Sequence, residues 1–476
     1  MFKFSVFLLS FTLGLISNIT QAQILKSKVE KNEGIIDNYI LREMQKRQIP
    51  GLVYGICDKN GLVKVKAFGL ADIQNQSLVR EKTVFELASL TKQFTAAAIM
   101  LLVQENKIKL SDSIKLYLKE CPAKWNAITI KHLLTHTSGL PLIGTGYSGF
   151  LNLDNEQYLQ LLWVKLSKEV SFSTMKTDTL DFMPGERFSY SDVGYELLGH
   201  IINNITGSYR DFIQKNIFDK VGMKDSYILD QTTVHPLEAR GYTLRQGGLV
   251  NIRRIWDIEI PSHSGVFSNI RDLSKWDSVL NTEKLLSNQS KDMMWASAQL
   301  NNGENSSYGF GWYTRFINKR LLVNHNGITG TEYVKYVSDS VSIIVLTNLG
   351  VGLYDNVSSW GIAPHIGKML LGYDMSIDST YITKGGLKIK NVKPSAAKKI
   401  VGTYELSKSK LTRKIYSENG KLMYNNGSAI FELAELSNGS FIKLGTENEE
   451  ILEVLSKDFK KLKWKGNEEM LLRINE

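Results

Sequence analysis

The stretch Phe85-Glu86-Leu87-Ala88-Ser89-Leu90-Thr91-Lys92-Gln93-Phe94-Thr95-Ala96-Ala97-Ala98-Ile99-Met100 decides how the rest of this 476-residue chain is read. From Ser89 onward it is nearly uncharged, and a helix that is apolar on every face is a buried helix. Residues three apart share a helix face, so Lys92 is expected beside Ser89 with its ammonium near the hydroxyl. A buried lysine is costly and is rarely kept without a partner or a task. The first helical turn leaves N–H groups unpaired, and together with the helix dipole these favour an oxyanion. The features combine into an activated serine nucleophile; the alternative is an ordinary helix whose lysine reaches out to solvent. Ser-x-x-Lys alone decides little, because it recurs at Ser173, Ser395, Ser407 and Ser440, but only Ser89 opens a long apolar helix.

Two later segments extend the constellation. Pro184-Gly185-Glu186-Arg187-Phe188-Ser189-Tyr190-Ser191-Asp192-Val193-Gly194-Tyr195 reads as a loop running into the apolar helix Leu197–Ile202. A tyrosine there can accept a proton if a cation lowers its pKa; alone it would be a packing residue. His325-Asn326-Gly327-Ile328-Thr329-Gly330 ends one strand of a late hairpin. Glycines at such an edge admit a substrate to the backbone, and strand N–H groups can supply a second oxyanion donor.

Taken together, these segments strongly resemble the serine β-lactamase and penicillin-recognising hydrolase family, in its class C and esterase-like branch, over roughly residues 35–371. The resemblance rests on Ser89-x-x-Lys92, Tyr190-Ser191-Asp192 and His325-Asn326-Gly327, in the family's order. Leu133-Leu134-Thr135-His136-Thr137-Ser138-Gly139-Leu140-Pro141, Gly265-Val266-Phe267-Ser268 before Asp272-Leu273, and Tyr308-Gly309-Phe310-Gly311-Trp312 each look like a family segment too. The resemblance implies that Ser89 is the acyl-accepting nucleophile and that Lys92 holds Tyr190 partly ionised. Tyr190 would take the proton from Ser89 and later activate the deacylating water. The oxyanion would sit between the backbone N–H groups of Ser89 and Ile328, and Asp192, His325, Asn326 and Gly327 would line the substrate site. It implies no metal and no organic cofactor.

Two positions depart from the β-lactamase pattern. Asp192 stands where those enzymes place an asparagine that donates to the substrate's amide carbonyl; an ionised aspartate cannot donate, and it would pair with Lys92, moving the base role further toward Tyr190. His325 stands where they place a lysine that receives a carboxylate, and a histidine is charged only part of the time near neutral pH. Both changes favour an ester, amide or D-peptide-type substrate over a β-lactam, and an exported location would fit one derived from the cell wall. Two alternatives stay open: a penicillin-binding D-alanyl-D-alanine peptidase with slow deacylation, and a catalytically weak binding or regulatory protein of the same fold.

Composition agrees with a globular protein, at 43% hydrophobic and 22% charged residues. The apolar run Phe4–Ser17 behind Lys3 is shorter than the ~18–20 residues of a membrane span. Followed by Thr20-Gln21-Ala22, it reads as a secretory signal over residues 1–22, so the expected location is periplasmic or extracellular. The net charge is +10, with many lysines late in the chain (Lys388, Lys390, Lys393, Lys398, Lys399, Lys457, Lys460, Lys461, Lys463 and Lys465). They alternate with apolar residues as on exposed strands, a solvated face being the expectation and an anionic surface the alternative partner; nothing beyond the sign of the charge points to nucleic acid. Cys57 and Cys121 are too few for a disulfide framework or a structural zinc site.

Ile35, Ile36, Tyr39, Ile40 and Met44 fall at helical spacing before Pro50-Gly51. Leu52–Cys57 and Leu62–Phe68 read as strands joined by an Asn60-Gly61 turn, and strand character returns at Arg320–Asn324, Glu332–Val337 and Val341–Thr347. Strands at both ends of a helical middle predict an α+β domain, an antiparallel sheet flanked by helices, over residues 23–375. Residues 376–393 read as a linker and 394–476 as a small all-β domain, similar to the lipocalin-like barrel that some family members carry. His132 and His136 are four apart, a spacing that can hold zinc, but no third ligand is apparent and structural histidines are expected. Gly144-x-Gly146-x-x-Gly149 follows a loop, not a strand, and reads as a rim loop. No Gly-x-Ser-x-Gly occurs, so the usual α/β-hydrolase signature is missing. Core packing is the expectation for the aromatics around Trp312.

Overall fold

The sheet at the heart of the protein is made from the two ends of its first domain. The structure, a computed structural model, describes residues 2–119, 121–141, 180–229, 233–245, 248–251, 260–317, 319–350, 360–373, 387, 389–390, 399–407, 410–425, 430–444, 450–465 and 470–475, with backbone alone for 2–21, 245, 430 and 475. Strands β1 (Gly51–Asp58), β2 (Gly61–Asp72) and β3 (Ser77–Leu78) come from the N-terminal end. Strands β4 (Tyr313–Ile317), β5 (Arg320–Gly327), β6 (Thr331–Tyr336) and β7 (Val341–Thr347) come from the other. The order is β3-β2-β1-β7-β6-β5-β4, antiparallel throughout. The central pair matches Leu52 to Thr347 and Cys57 to Ser342.

Both central strands are buried almost end to end, which is why they read as continuous apolar runs and not as alternating ones. Successive residues point to opposite faces, and each face has its own cover. The Tyr54 hydroxyl reaches Asp37 of helix α1 (Phe2–Arg47), whereas Gly55 faces Ile270 of a helix on the other side. In α1 the expected stripe is present: Ile36, Tyr39, Ile40 and Met44 are buried, while Ile35 is exposed. The helix is longer than the spacing predicts and ends three residues before Pro50. It packs with the helix Ile362–Leu371, where His365 stacks on Tyr39 at 4.2 Å. Helix α2 (Thr91–Gln104) is buried from Thr91 to Leu102, as its uncharged sequence predicts.

Other elements that position the site are α3 (Ile130–Leu134), α4 (Asp192–Thr206) and α5 (Ile270–Leu280). Helix α5 covers β1 and β2, and a fully buried ion pair fastens it to the sheet: Lys335 on β6 donates to Asp277 and Asn281. Tyr333 and Ser342 donate to the same Asp277 oxygen. Cys57 and Cys121 are both buried and not disulfide-bonded.

The chain divides into two compact units between Gly372 and Tyr373. In the second, eight antiparallel strands form a closed up-and-down barrel: β8 (Gly402–Leu406), β9 (Thr412–Glu418), β10 (Lys421–Asn425), β11 (Ile430–Leu436), β12 (Phe441–Lys443), β13 (Ile451–Val454), β14 (Lys461–Trp464) and β15 (Met470–Asn475). Each strand pairs with the next, and β15 returns to β8. The β9–β10 turn places Asn419 and Gly420 at φ 50° and 75°, the geometry for which such hairpin turns select Asn-Gly. Ile400, Tyr404, Ile415, Leu422, Leu433, Leu452, Leu462 and Leu471 fill the barrel's core. On β14, Leu462 is buried and Lys461 exposed, the alternation expected of a solvated lysine face. The Gly144–Gly149 rim loop and most of the 376–393 linker lie outside the described residues. Among the described residues no helix is long and apolar enough to cross a membrane.

Candidate active site

Ser89 is placed by short pairings on either side of it. Phe85-Glu86 pairs with Val266–Ser268, Leu87 donates its N–H to the Val266 carbonyl at 2.9 Å, and the Val266 N–H donates to Thr91 Oγ1 at 2.9 Å. These contacts pin the segment before the helix, which accounts for the family-like Gly265–Ser268 motif. Ala88 is held at φ 46°, a left-handed conformation that an L side chain seldom adopts. The chain then makes one 3₁₀ turn, Ala88–Leu90, and enters α2. Ser89 is thereby the partly exposed residue of an otherwise buried run.

Lys92 has no solvent exposure. Its Nζ lies 3.1 Å from Ser89 Oγ, 2.7 Å from Asp192 Oδ1 and 3.0 Å from the His263 carbonyl oxygen. It also lies 4.8 Å from the centre of the Tyr190 ring and 5.6 Å from that of Tyr195. Burial pulls the Lys92 pKa below its ordinary value, and Asp192 only partly restores it. Burial would raise the Asp192 carboxyl, but Lys92 holds it below the ordinary carboxylate range. The three partners of Lys92 suit both of its forms. An ammonium donates to all three, and a neutral amine donates to the two acceptors while turning its lone pair to the Ser89 hydroxyl. A proton can therefore pass from Ser89 to Lys92 with no heavy atom rearranged.

Tyr190 hydrogen-bonds with Ser89, but burial pushes its phenol well above the ordinary value, and Asp192 pushes it further. This corrects the expectation that Lys92 holds Tyr190 partly ionised. The Asp192–Lys92 pair forms as expected, and burial favours the neutral form of both Lys92 and Tyr190.

The loop carrying Tyr190 is held by the segment after α3. The N–H groups of Asp181, Gly185 and Ser189 donate to the carbonyls of Gly139, Thr137 and His136 at 2.8, 2.7 and 2.9 Å. His136, at φ 56° and 1% exposed, accepts the Ser191 N–H on Nδ1 at 3.0 Å, and its ring stands 4.2 Å from that of Tyr190. Ser191 then caps α4 by accepting the Gly194 N–H, which puts Asp192 in the first helical turn. His132 instead caps α3 with Thr129, and among the described residues no group of three or more His, Cys, Asp or Glu is placed to hold a metal ion.

The end of β5 is stitched to the residues before Ser89. Thr331 Oγ1 donates to the Leu87 carbonyl at 3.0 Å and Thr329 Oγ1 to that of Glu86 at 2.7 Å. A Cβ on Gly327 would stand 2.3 Å from the Leu87 carbonyl oxygen, so only glycine fits there. Ile328 follows in the β5–β6 turn, 48% exposed, with its backbone next to the serine segment. His325 behaves differently from the expectation of a partly charged group. It is 1% exposed, its Nδ1 donates to the Asn326 carbonyl at 2.9 Å, and its Nε2 accepts from Tyr308 Oη at 2.9 Å. Burial lowers its pKa to about 3, so it is neutral and both nitrogens are engaged. Asn326 is half-buried beside it.

Residues that the sequence left unassigned complete the surroundings. His263 is buried, its pKa lowered to about 4 by burial, with Nδ1 3.5 Å from a Glu196 carboxylate oxygen while its carbonyl holds Lys92. Tyr308, Tyr195 and Tyr313 wall the cleft behind Tyr190 and His325. Gly311 explains the Gly-x-Gly before Trp312: at φ 79°, its Cβ position would be 2.7 Å from the Lys92 carbonyl oxygen. Trp312 itself is fully buried against Tyr333, as expected of a core residue.

Comparison with known proteins agrees with this geometry. The Beta-lactamase family profile matches residues 36–361. Penicillin-binding protein 4* of Bacillus subtilis (strain 168) is 29% identical over 324 residues, 64% of this chain and 69% of that protein. Protein flp of Staphylococcus aureus (strain MW2) is 31% identical over 332 residues, 66% of this chain and 62% of that protein. The octameric penicillin-binding protein homologue from Pyrococcus abyssi superposes with a TM-score of 0.62 at 24% identity, covering 93% of this chain and all of that one, and so shares its fold. The chain belongs to the Beta-lactamase family, among the serine β-lactamase and penicillin-binding-protein-like hydrolases.

Proposed function

We propose that the protein is an exported serine hydrolase that forms an acyl-enzyme on Ser89 and acts on ester, amide or D-peptide-type substrates. The observation that carries this is the fully buried Lys92, 3.1 Å from Ser89 Oγ and backed by Asp192 and the His263 carbonyl. Neutral Lys92 takes the Ser89 proton as Oγ bonds to the substrate carbonyl carbon. The oxyanion that forms is held by the Ser89 and Ile328 N–H groups. The bond to the leaving group then breaks, and the leaving group takes a proton from the Tyr190 hydroxyl, which Lys92 replenishes. Water reverses the sequence at the acyl carbonyl, releasing the acid and restoring Ser89. Asn326 and Gly327 present their backbone to the bound chain. The apolar run Phe4–Ser17 behind Lys3 supports export by a signal peptide.

A second reading, a penicillin-binding D-alanyl-D-alanine peptidase with slow deacylation, is favoured by the names of relatives called penicillin-binding proteins. Intact-mass spectrometry after exposure to a fluorophosphonate, a β-lactam and an activated ester tests both. Adducts are expected on the wild type and not on Ser89→Ala; adducts of equal yield on both proteins would overturn the nucleophile. Rapid loss of the ester adduct is expected of the hydrolase, and a long-lived β-lactam adduct supports the second reading.

A further inference from the structure

Among the described residues around Ser89 and Lys92, Asp192 is a charged group that reaches solvent. Its side chain is 30% exposed, and Oδ1 is taken by Lys92 at 2.7 Å. No hydrogen bond to Oδ2 is found among the described residues. Among the described residues, the cations close to it are spent or silent. As an ammonium, Lys92 gives its three protons to Ser89, Asp192 and His263, and it has no exposed surface. His325 is neutral with both nitrogens engaged, and His263 is neutral beside Glu196. Arg315, two residues along β4 from Tyr313, acts on that tyrosine. Tyr190 and Tyr313 remain protonated phenols. A carboxylate accepts hydrogen bonds and donates none, so it repels a carbonyl oxygen or a carboxylate and attracts an N–H donor or a cation. The carboxylate is linked to Ser89 through Lys92 Nζ, which lies 2.7 Å from Asp192 Oδ1 and 3.1 Å from Ser89 Oγ.

We propose that Asp192 is a specificity-determining residue that selects acyl substrates carrying an ammonium or N–H donor next to the scissile carbonyl, aminoacyl esters and amides with a free α-amino group being the class. The proposal rests on the Ser89 hydrolase reading for its chemistry, and its binding arm is independent of turnover. The first arm compares the p-nitrophenyl esters of alanine (both enantiomers), of isobutyrate, in which a methyl replaces the ammonium, and of N-acetylalanine. Each kcat/KM is divided by the buffer hydrolysis rate of the same ester. The alanine ester in one enantiomer is expected to lead isobutyrate by about tenfold or more. Asp192→Asn is expected to remove that lead and favour N-acetylalanine, while Asp192→Glu, which keeps the charge, retains part of it. The ratio between esters cancels any common loss of reactivity from disturbing Lys92.

The second arm measures binding of alaninamide and isobutyramide to the Ser89→Ala protein by calorimetry. Tighter binding of alaninamide, lost when Asp192→Asn is added, supports the proposal whether or not any ester is turned over. Equal binding of the two amides, or an ester ratio unchanged by Asp192→Asn, overturns it. Absence of Ser89-dependent turnover alongside preferential alaninamide binding would instead overturn the hydrolase reading and leave the recognition by Asp192 standing.

Discussion

Lys92 and Tyr190 are moved by burial in opposite directions on the pH scale, and this makes the choice of base measurable. Only the neutral lysine can accept the Ser89 proton, and its pKa is below the ordinary 10.5. The rate of fluorophosphonate adduct formation is therefore expected to rise with pH through the Lys92 value and then level off. Tyr190, whose phenol is raised, adds no second rise below its ordinary range. Followed by intact mass from about pH 5 to pH 10, a rate that falls with rising pH would overturn the assignment. Tyr190→Phe is expected to slow acyl transfer by about 10²–10³-fold while keeping the lysine-dependent limb, and loss of that limb would return the base role to the tyrosine. At this scale the sequence was legible where geometry is local: three residues along a helix fix Lys92 beside Ser89. The protonation of Tyr190 and His325 was not, because it depends on what encloses them, and residues from α4, β4 and β5 supply that enclosure.

Single elements carry the rest of the geometry. The β5 end and the Ser89 turn approach so closely that a methyl group at Gly327 has no room beside the Leu87 carbonyl. Gly327→Ala is expected to push the β5–β6 turn away, misplace the Ile328 N–H and slow acylation by about 10²–10³-fold, the usual loss of one oxyanion donor. Stopped-flow acylation with a parallel denaturation curve checks it; a wild-type rate in the folded variant would remove Ile328 from the oxyanion site. His136 holds the Tyr190 loop from the other side through Nδ1 and its carbonyl. His136→Asn, which keeps an acceptor at the Nδ1 position and tolerates positive φ, is expected to retain most of the rate, whereas His136→Leu loses about tenfold or more in kcat with KM little changed. Equal rates in the two variants would deny the acceptor that role. The His136-Thr137-Ser138-Gly139 stretch was readable as a family-like segment, but its task was not. Backbone bonds to Asp181, Gly185 and Ser189 leave no mark in a residue pattern.

Across the whole molecule, acid is expected to unfold the first unit. His200, His263 and His325 are buried neutral, with pKa values of about 4, 4 and 3. The unfolded chain binds those protons near the ordinary 6.5, so stability falls as pH drops through the interval between, by about 1.4 kcal/mol per pH unit for each histidine. Asp192 works lower: its depressed pKa stabilises above the unfolded value and that contribution is lost only as pH falls through the folded one. Urea midpoints at about pH 7, 6 and 5 should decline steadily, and a flat series would mean that these histidines are protonated in the native state. At this scale much was legible. Apolar runs at Leu52–Cys57 and Val341–Thr347 announced the central strands, and residues 394–476 read as an all-β domain. The edge strand Tyr313–Ile317 was missed because it lacks a clean alternation, and its half-buried pattern follows from the cleft beside it. The same sheet also fixes an order of events in time. Every barrel strand zips to its neighbour in sequence, with one long closure between β8 and β15, whereas the pair Leu52–Thr347 waits for nearly the whole first unit. A chain still leaving the ribosome is thus expected to complete the sheet beside Ser89 only once β7 has been synthesised and has slotted in between β1 and β6.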